Sequence, residues 1–384
     1  MVNNSRTVGV IGIGFVGEHL TKVFSQNREN NIIGYDISEK RINYLNNIYK
    51  DLSNIKFQNR IDNLDTCDLF LVSVPTDVTN KKPDLNNLIH VRNLLEKVAK
   101  KGSIIVVESS VYVGGTREIF GGFLDKGVYV GFSPERIDPG RMKPESYEIS
   151  KIISGLNKES LMKIREFYKM VFSECVEVTS CETAEMCKLY ENCYRVVNIA
   201  YVNEISDMCI EKGINPIEMI NATVSKPFGF TPHYPGLGVG GHCLPYNPYY
   251  LMNDTELPIL KNCINNLERR PSEKARELVE NHNFDSVLVV GLGFKPGESL
   301  LTNSPGVSLA SELIKLGKNV KGYDPCVKLT YQKTDFELID IKEFDPYLIM
   351  ENFELVIVAM RQRSVNLDIL TEIEKMGMKV VYFV

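Results

Sequence analysis

The chain has 384 residues, of which 43% are hydrophobic and 24% charged, the composition of an ordinary folded protein with length for two or three domains. The chain has 44 Lys and Arg residues and 49 Asp and Glu residues, a net charge of −5 that is spread without long runs of one sign. This composition excludes a disordered chain. It also excludes the basic stripe that nucleic-acid binding requires. The sequence contains no run near the ~20 apolar residues of a membrane span and no secretory signal. Its nine cysteines are scattered, which argues against a disulfide framework. We therefore expect a cytoplasmic protein with no membrane partner.

Short β-rich runs alternate with helical patterns over roughly the first 180 residues, which predicts βαβ units and a parallel sheet. The predicted strands are Val8–Ile11, Ile32–Tyr35, Leu69–Val74, Ile104–Glu108 and Val128–Phe132.

The first predicted strand runs into a glycine-rich turn, Gly12-Ile13-Gly14-Phe15-Val16-Gly17, and a helical pattern follows. In such a turn the first glycine permits a tight bend, the second lets the backbone approach a pyrophosphate, and the third lets the helix pack close to the strand. Asp36 lies 19 residues beyond Gly17, at the end of the next strand, where a carboxylate binds a ribose 2′-hydroxyl and repels a 2′-phosphate. The pattern predicts an NAD site rather than an NADP site, with a sheet turn without cofactor as the alternative. Arg41, further along, is predicted either to stack on the adenine or to be solvated.

The middle of the chain has a different pattern. Residues from Thr183 to Lys212 contain no helix breaker and repeat with a period near 3.6, which predicts one long helix. A Gly/Pro-rich segment, Lys226–Pro248, follows, and strand–helix alternation resumes at Val287. The sequence VGVIGIGFVG, with IIGYD after it, is echoed by VLVVGLGFKPG with VKGYDP after it, which favours two related doubly wound units. The predicted fold is therefore α/β, with two Rossmann-like doubly wound parallel-sheet domains (residues 1–180 and 276–384) joined by a central long-helix domain (residues 181–275).

One cysteine is set apart from the other eight. Those eight lie in helical or strand patterns where a small buried hydrophobe suffices, and the four that recur every six residues from Cys175 have no histidine nearby, so no metal site is predicted. Cys243 instead lies in the loop PGLGVGGHCLP, which can bring backbone amides and a thiol against a ligand. A thiol that merely occupies a tight turn is the alternative.

A redox cofactor together with a nucleophilic thiol suggests a particular chemistry. Hydride transfer alone takes an alcohol to an aldehyde; a thiol that adds to the aldehyde makes a thiohemiacetal, which loses a second hydride to become a thioester that water opens to an acid. The reaction needs an oxyanion partner and a group that handles the water. Lys188 and Asn192, four residues apart on the long helix, share one face, and Arg195 extends that polar stripe. A solvated helix face is the alternative.

These residues resemble the UDP-glucose/GDP-mannose 6-dehydrogenase family over nearly the whole chain. The matching segments, in order, are the glycine turn with Asp36, VSVPT, ESSV, SPERIDPG, AEMCKLYENCYRVVNIAYVNE, GGHCLP, GLGFKP and the SP at Ser304–Pro305. The resemblance implies an N-terminal NAD-binding domain, a central helical domain through which two copies dimerise, and a C-terminal UDP-binding domain that is short at its end. It also implies oxidation of the C6 hydroxymethyl group of a UDP-sugar to a carboxylate, with two NAD consumed.

The resemblance also assigns roles to individual residues. Cys243 would be the nucleophile, Lys188 and Asn192 would stabilise the oxyanion, and Glu135 would position or activate the water. Thr76 and Ser110 would line the nicotinamide side of the NAD site. The substrate would be bound by Arg136, Lys188, Asn192, Arg195, Lys226, Tyr234, Gly240 and Lys295.

The substrate prediction is a UDP-N-acetylhexosamine, either UDP-GlcNAc or UDP-GalNAc. KPFGF ahead of Tyr234, SPERIDPG, and a histidine before the cysteine resemble the branch that acts on these sugars, with UDP-glucose as the alternative. Three features depart from the family pattern: Asn247 stands where the family has an aspartate, Thr302 where it has an arginine that reaches the cofactor, and the chain ends KVVYFV where the family places an Asp-x-Arg segment. A catalytically impaired UDP-sugar-binding protein is therefore a further alternative.

Overall fold

The computed structural model describes residues 6–136, 146–327 and 334–383, which fold into two compact units. The first unit contains Met1–Glu191 and Tyr249–Thr255, and the second contains Asn192–Pro248 and Glu256–Val384. The boundary at residues 191 and 192 falls within a single long helix.

A six-stranded parallel sheet with the order β3-β2-β1-β4-β7-β8 forms the centre of the first unit. Its strands are β1 (Arg6–Ile11), β2 (Asn30–Tyr35), β3 (Ile55–Gln58), β4 (Leu69–Val72), β7 (Ile104–Val107) and β8 (Tyr129–Phe132). An antiparallel hairpin and a short parallel ladder belong to the same unit: β5 (Asp77–Thr79), β6 (Lys82–Asp84), β9 (Lys151–Ile153) and β10 (Cys175–Glu177). Strands β4 and β7 are buried along their whole length, because continuous apolar runs suit a sheet that is covered on both faces.

Helices follow the strands of this sheet in the predicted βαβ order. They are α1 (Phe15–Ser25), α2 (Glu39–Ile48), α3 (Asn86–Val98), α4 (Gly115–Phe120) and α5 (Lys158–Tyr168), with 3₁₀ turns at Leu64–Thr66, Gly121–Lys126 and Ser146–Glu148. The apolar faces of α1 and α5 meet the sheet in one core, where the Tyr168 and Phe24 rings pack edge to face with centroids 5.5 Å apart.

The second unit combines helices with a second parallel sheet. The long helix α6 (Cys181–Glu211) runs into it, followed by α7 (Pro216–Val224), α8 (Cys243–Leu251) and α9 (Pro258–Asn281); the last three residues of α8 belong to the first unit. The sheet has the order β13-β12-β11-β14-β15, from β11 (Ser286–Val290), β12 (Asn319–Tyr323), β13 (Glu337–Leu338), β14 (Leu355–Val358) and β15 (Lys379–Tyr382). Its helices are α10 (Pro305–Lys315), α11 (Pro346–Asn352) and α12 (Leu367–Lys375).

Both faces of the second sheet are covered. Val287 and Val289 of β11 point into one apolar cluster, and Leu288 and Val290 point into another, as the alternation of side chains along a strand requires. The two sheets share the order third-second-first-fourth around their first strands, which agrees with the predicted echo. The predicted fold class, two Rossmann-like parallel-sheet domains with a long helix between them in the chain, is confirmed.

Element boundaries differ from the sequence predictions by small amounts. The strands predicted to end at Val74 and Glu108 end at Val72 and Val107, and the long helix predicted from Thr183 to Lys212 runs from Cys181 to Glu211. The pattern did not predict β3, the hairpin or the β9–β10 ladder, whose strands are only three or four residues long. The division into three domains at residues 180 and 275 stays a prediction.

Candidate functional site

The carboxyl ends of four neighbouring strands in the first unit carry most of the predicted cofactor residues. The glycine turn follows β1, Thr76 follows β4, Ser110 follows β7, and Glu135 follows β8. These strands are paired in register in that order, with Ile11 opposite Val72 and Val72 opposite Val107. In an open parallel sheet a ligand binds outside these ends, at the point where strand order reverses, which here lies between β1 and β4.

The glycine turn has the geometry that a dinucleotide needs. Gly12 has φ +87°, and a Cβ at Gly17 would lie 2.0 Å from the Gly12 carbonyl oxygen, so both positions require glycine. A Cβ at Gly14 would meet nothing within 4 Å, which leaves open space above the turn. Helix α1 begins at Phe15 without a side-chain cap on its first amides, so those amides can receive an anion. The turn therefore fits the pyrophosphate of NAD.

Asp36 and Arg41 hold the turn from the side. One carboxylate oxygen of Asp36 accepts from the Ile13 amide and the other from the Ser38 amide, both at 2.8 Å. An ionised carboxylate has about four acceptor positions, so Asp36 can still accept from a ribose hydroxyl. The Arg41 guanidinium donates to the Ile13 carbonyl at 2.7 Å and pairs with Glu18 at 2.6 Å. Arg41 is therefore not simply solvated, and it would have to break these bonds to lie flat on an adenine.

Thr76 and Ser110 are both half-buried at the ends of adjacent strands. The hairpin that begins directly after Thr76 is fixed by the end of α8, because the Tyr250 hydroxyl donates to the Asp77 carbonyl at 2.9 Å. The tip of the hairpin, Asn80-Lys81, has positive φ at both residues, as tight two-residue hairpin turns require. The segment directly after Thr76 is therefore tied to the end of α8.

Glu135, Arg136 and Lys188 come together in the first unit. The Lys188 ammonium donates to the Glu135 backbone carbonyl, and a Glu135 carboxylate oxygen accepts from the Arg136 amide at 2.6 Å. The Arg136 guanidinium pairs with Glu191 of α6 at 2.7 Å and donates to the Ser150 carbonyl at 2.9 Å. The rest of the SPERIDPG segment, from residue 137, lies outside the described residues.

A buried charged cluster that the sequence analysis did not single out adjoins Glu135. The Lys151 ammonium lies 2.6 Å from a Glu108 oxygen and 3.5 Å from a Glu135 oxygen, and the Tyr168 hydroxyl donates to the other Glu108 oxygen at 2.5 Å. Burial raises the pKa of Glu108 and raises that of Tyr168 well above its ordinary value, which keeps Tyr168 a neutral donor. Burial alone would lower the pKa of Lys151, but the carboxylates of Glu108 and Glu135 raise it. The available signal was a lysine directly before the apolar residues of β9, since a buried lysine must be paired.

The second unit holds the other predicted catalytic residues. Asn192, one helical turn after Lys188 on α6, is buried, and its side-chain nitrogen donates to the Asn247 side-chain oxygen at 2.5 Å. Asn247 is itself buried on α8, four residues after Cys243. Lys188 is half-buried and Arg195 is exposed, so Asn192 is the most deeply buried residue of the predicted polar stripe.

Cys243 is the first residue of α8 and is exposed, whereas the other eight cysteines are buried or half-buried. The glycine loop before it packs tightly on the second unit. A Cβ at Gly240 would lie 2.4 Å from Cβ of Phe294, and the Gly241 amide donates to the Thr302 carbonyl at 2.9 Å. The Asn303 side-chain amide donates to the Gly241 carbonyl at 2.9 Å, so the turn that departs from the family pattern anchors the loop that carries the thiol.

The remaining predicted substrate residues of the second unit differ in exposure. Lys226 and Tyr234 are exposed: the ammonium of Lys226 lies 4.9 Å from the Phe228 ring centroid, and the Tyr234 hydroxyl donates to Asn221 at 3.2 Å. Lys295 is half-buried after the second glycine turn, where its carbonyl accepts from the Glu298 amide at 3.0 Å. The NAD residues, Glu135, Arg136 and Lys188 lie in the first unit, and the other predicted site residues lie in the second.

The second glycine turn repeats the first. The Asp324 carboxylate accepts from the Leu292 and Gly293 amides at 2.8 Å, as Asp36 accepts from the first turn. Here the Gln362 amide also donates to Asp324 at 3.1 Å and lies 2.4 Å from where a Gly293 Cβ would be, so this carboxylate is enclosed. Within the described residues, no group of three metal-ligating side chains occurs and no helix is long and apolar enough to cross a membrane.

Comparison with known proteins gives consistent matches. The model of the NAD binding domain of the UDP-glucose/GDP-mannose dehydrogenase family matches residues 6–172, and the model of that family's central domain matches residues 182–265. The chain is 30% identical to the UDP-N-acetyl-D-glucosamine 6-dehydrogenase of Salmonella typhi, over 92% of this chain and 89% of the relative. It is 31% identical to the UDP-N-acetyl-D-mannosamine dehydrogenase of Methanococcus vannielii, over 83% and 80%. The solved structure of a UDP-D-ManNAc dehydrogenase from Pyrococcus horikoshii is 25% identical, with a TM-score of 0.85 over 98% of this chain and 95% of that chain.

Proposed function

The chain belongs to the UDP-glucose/GDP-mannose dehydrogenase family of NAD-dependent oxidoreductases, and we propose that it oxidises the C6 hydroxymethyl group of a UDP-N-acetylhexosamine to the carboxylate. The resemblance and the NAD requirement predicted from the sequence are thus confirmed. The observation that carries the proposal is that, among nine cysteines that all lie in the described residues, Cys243 alone is exposed, at the start of a helix behind a glycine-rich loop.

The first unit supplies the residues that would hold NAD. The amides of the glycine turn and of Phe15 and Val16 would receive the pyrophosphate, Asp36 would bind the ribose, and Arg41 would keep the turn in place. Thr76 and Ser110 would line the nicotinamide side. When bound, NAD supplies the hydride acceptor for both oxidation steps.

Cys243 would carry the second oxidation. Its thiolate adds to the C6 aldehyde to give a thiohemiacetal, whose loss of a hydride and a proton leaves a thioester. Lys188 and Asn192, one turn apart on α6, would donate to the oxygen that bears the developing negative charge. Asn192 is suited to this role because Asn247 fixes its amide through a buried hydrogen bond.

The final step is hydrolysis. Glu135 would take a proton from water as the water oxygen adds to the thioester carbon, and the C–S bond then breaks to release the acid and the Cys243 thiolate. Asn247 cannot accept a proton, so the carboxylate that relatives are expected to offer there is absent and Glu135 would act as the base alone.

The N-acetylated sugar is supported by the relatives and by the residues of the substrate segment. Two relatives are named for UDP-N-acetyl-D-glucosamine and UDP-N-acetyl-D-mannosamine. Arg136, Arg195, Lys226, Tyr234, Gly240 and Lys295 would bind the UDP-sugar, and their exposed or half-buried positions leave them accessible. We also propose that two copies pair through α6 and that the protein acts in the cytoplasm, where nine unpaired cysteines stay reduced.

The test compares NADH formation from UDP-GlcNAc, UDP-GalNAc, UDP-ManNAc and UDP-glucose. We expect two NADH for each N-acetylated sugar consumed and little from UDP-glucose. Cys243→Ser should abolish acid formation while NAD still binds, and Cys263→Ser, at a half-buried helical position, should retain activity.

Three outcomes would contradict the proposal in different ways. Full turnover in Cys243→Ser would reject the thiol. A preference for UDP-glucose would reject the substrate. Tight UDP-sugar binding without NADH from any substrate would identify an impaired binding protein instead.

A further inference from the structure

A lysine is buried between two carboxylates behind the proposed base. Lys151, the first residue of β9, is 4% exposed, and the Glu108 side chain that faces it is fully buried. The Lys151 ammonium reaches three acceptors: a Glu108 oxygen at 2.6 Å, the Pro134 carbonyl at 3.0 Å and a Glu135 oxygen at 3.5 Å. An ammonium has three donors, so all are engaged.

Burying these charges lowers the stability of the fold, so stability alone does not account for the arrangement. Taking a lysine and a carboxylate out of water costs several kcal/mol per ion before their attraction is counted, and apolar residues of similar volume usually serve a core as well. The cluster is not isolated in the core, because two of the three lysine contacts are to Pro134 and Glu135, which lie in the segment directly after β8. The contacts therefore determine where the Glu135 carboxylate points.

The charges around Glu135 come from several elements. Lys151 faces it from β9, Glu108 lies behind Lys151 at the end of β7, and Tyr168 of α5 donates to Glu108. Lys188 of α6 binds the Glu135 backbone carbonyl, and the neighbouring Arg136 is paired with Glu191 of the same helix. Lys151 thus pairs with the Glu135 carboxylate, whereas Lys188 binds the backbone carbonyl of the same residue.

We propose that Lys151 is a positioning residue for thioester hydrolysis, which holds the Glu135 carboxylate in place and ionised so that it can take the proton of the attacking water. The inference rests on the proposed function. Water adds to the thioester carbon, one of its protons passes to Glu135, and the C–S bond breaks to give the acid and the Cys243 thiolate. Lys151 remains charged throughout, and Glu108, fixed by Tyr168, keeps the ammonium in position.

The test uses Lys151→Met in the full-length protein with UDP-GlcNAc and NAD. Both hydride transfers precede hydrolysis, so the variant should form two NADH per active site in a rapid first phase and then slow by tenfold or more, while intact-mass measurement shows a sugar adduct on Cys243. Without the ammonium, protonation of Glu135 becomes easier, so the acid limb of the pH–rate profile should move up by about one pH unit. Lys151→Arg keeps the charge and should keep the wild-type limb. Lys163→Met is the matched control: this lysine lies on α5 with its side chain 41% exposed, and the variant should behave as wild type.

The double variant Glu108→Gln with Lys151→Met distinguishes a folding defect from a loss of positioning, because it removes both buried charges. It should recover the thermal stability of the protein without recovering hydrolysis. The opposite result would be a folded Lys151→Met or double variant that hydrolyses the thioester at the wild-type rate, with the acid limb unmoved. That result would overturn the role of Lys151 and leave the proposed function intact. If the wild-type enzyme forms no NADH from any UDP-sugar, the proposed function and this inference both fall.

Discussion

The buried pair of Asn192 and Asn247 shows how much of the proposed chemistry depends on single side chains. Asn192 can offer an N–H to a substrate oxygen in only one orientation, and the 2.5 Å hydrogen bond to the Asn247 oxygen sets that orientation. Both residues are at most 5% exposed, so water does not compete for the bond. The amide at position 247 therefore retains the orienting function of a carboxylate while it lacks the capacity to accept a proton.

Asn247→Asp should raise turnover. The aspartate has nearly the same shape and still accepts from Asn192, and it adds a group that can take a proton from water beside Cys243. A positioned general base contributes typically 10²–10⁴-fold, so a rise in kcat of about tenfold or more is expected where hydrolysis limits the rate. Steady-state NADH kinetics measure the change, with Asn253→Asp, at an exposed position after α8, as the control. An unchanged kcat with normal folding would show that Glu135 already supplies all the base catalysis the site uses.

At the scale of elements, glycine serves two different purposes in the turn between β1 and α1: close packing at Gly17 and room for a ligand at Gly14. Gly17 is required for packing, because its Cβ would overlap the Gly12 carbonyl oxygen and lie 2.8 Å from the Ser73 hydroxyl. Gly14 has φ −75° and nothing within 4 Å of its Cβ, so the fold itself does not require glycine there. Its absence of a side chain matters only to what binds above the turn.

Alanine at the two positions should therefore have different effects. Gly17→Ala forces α1 away from β1 and should destabilise the protein by about 1–3 kcal/mol, with weaker NAD binding as a consequence. Gly14→Ala should leave the unfolding temperature unchanged and weaken NAD binding by about tenfold or more, since the Cβ would occupy the space of the pyrophosphate. Thermal unfolding and NAD titration separate the two. Equal NAD affinity in wild type and Gly14→Ala would contradict the predicted pyrophosphate position.

The sequence predicts elements well where a local pattern determines them. The glycine turn, the buried strands and α6 were predictable, because each depends on residues within one stretch of chain. The Lys151 cluster was not, because Glu108 and Lys151 are 43 residues apart and meet only through the packing of β7 against the elements that follow β8. The bond between Asn192 and Asn247 spans 55 residues, so from the sequence Asn247 was recognised only as a residue that replaces a carboxylate.

At the scale of the whole molecule, one face of α6 exposes a row of large apolar and aromatic side chains. Met186, Tyr190, Tyr194, Tyr201 and Met208 are 42 to 65% exposed. At 3.6 residues per turn, these five positions fall within about 80° of one another around the helix axis. A row of large apolar and aromatic side chains on one face is typical of a surface that packs against another protein, and Tyr is enriched at such interfaces. The row supports the proposed pairing of two copies through α6.

Charges placed on this row should separate the pair. Light scattering should give about twice the 43.5 kDa of one chain for the wild-type protein, since the proposed dimer contains two. Tyr190→Glu with Tyr201→Glu puts two carboxylates on each copy within a buried contact and should shift the mass to that of one chain at micromolar concentration, because an unpaired buried charge is costly. Tyr347→Glu, on α11 and 70% exposed, adds the same charge elsewhere and should leave the mass unchanged. A wild-type protein that runs at the mass of one chain, or a double variant that keeps the larger mass, would show that α6 is not where two copies meet.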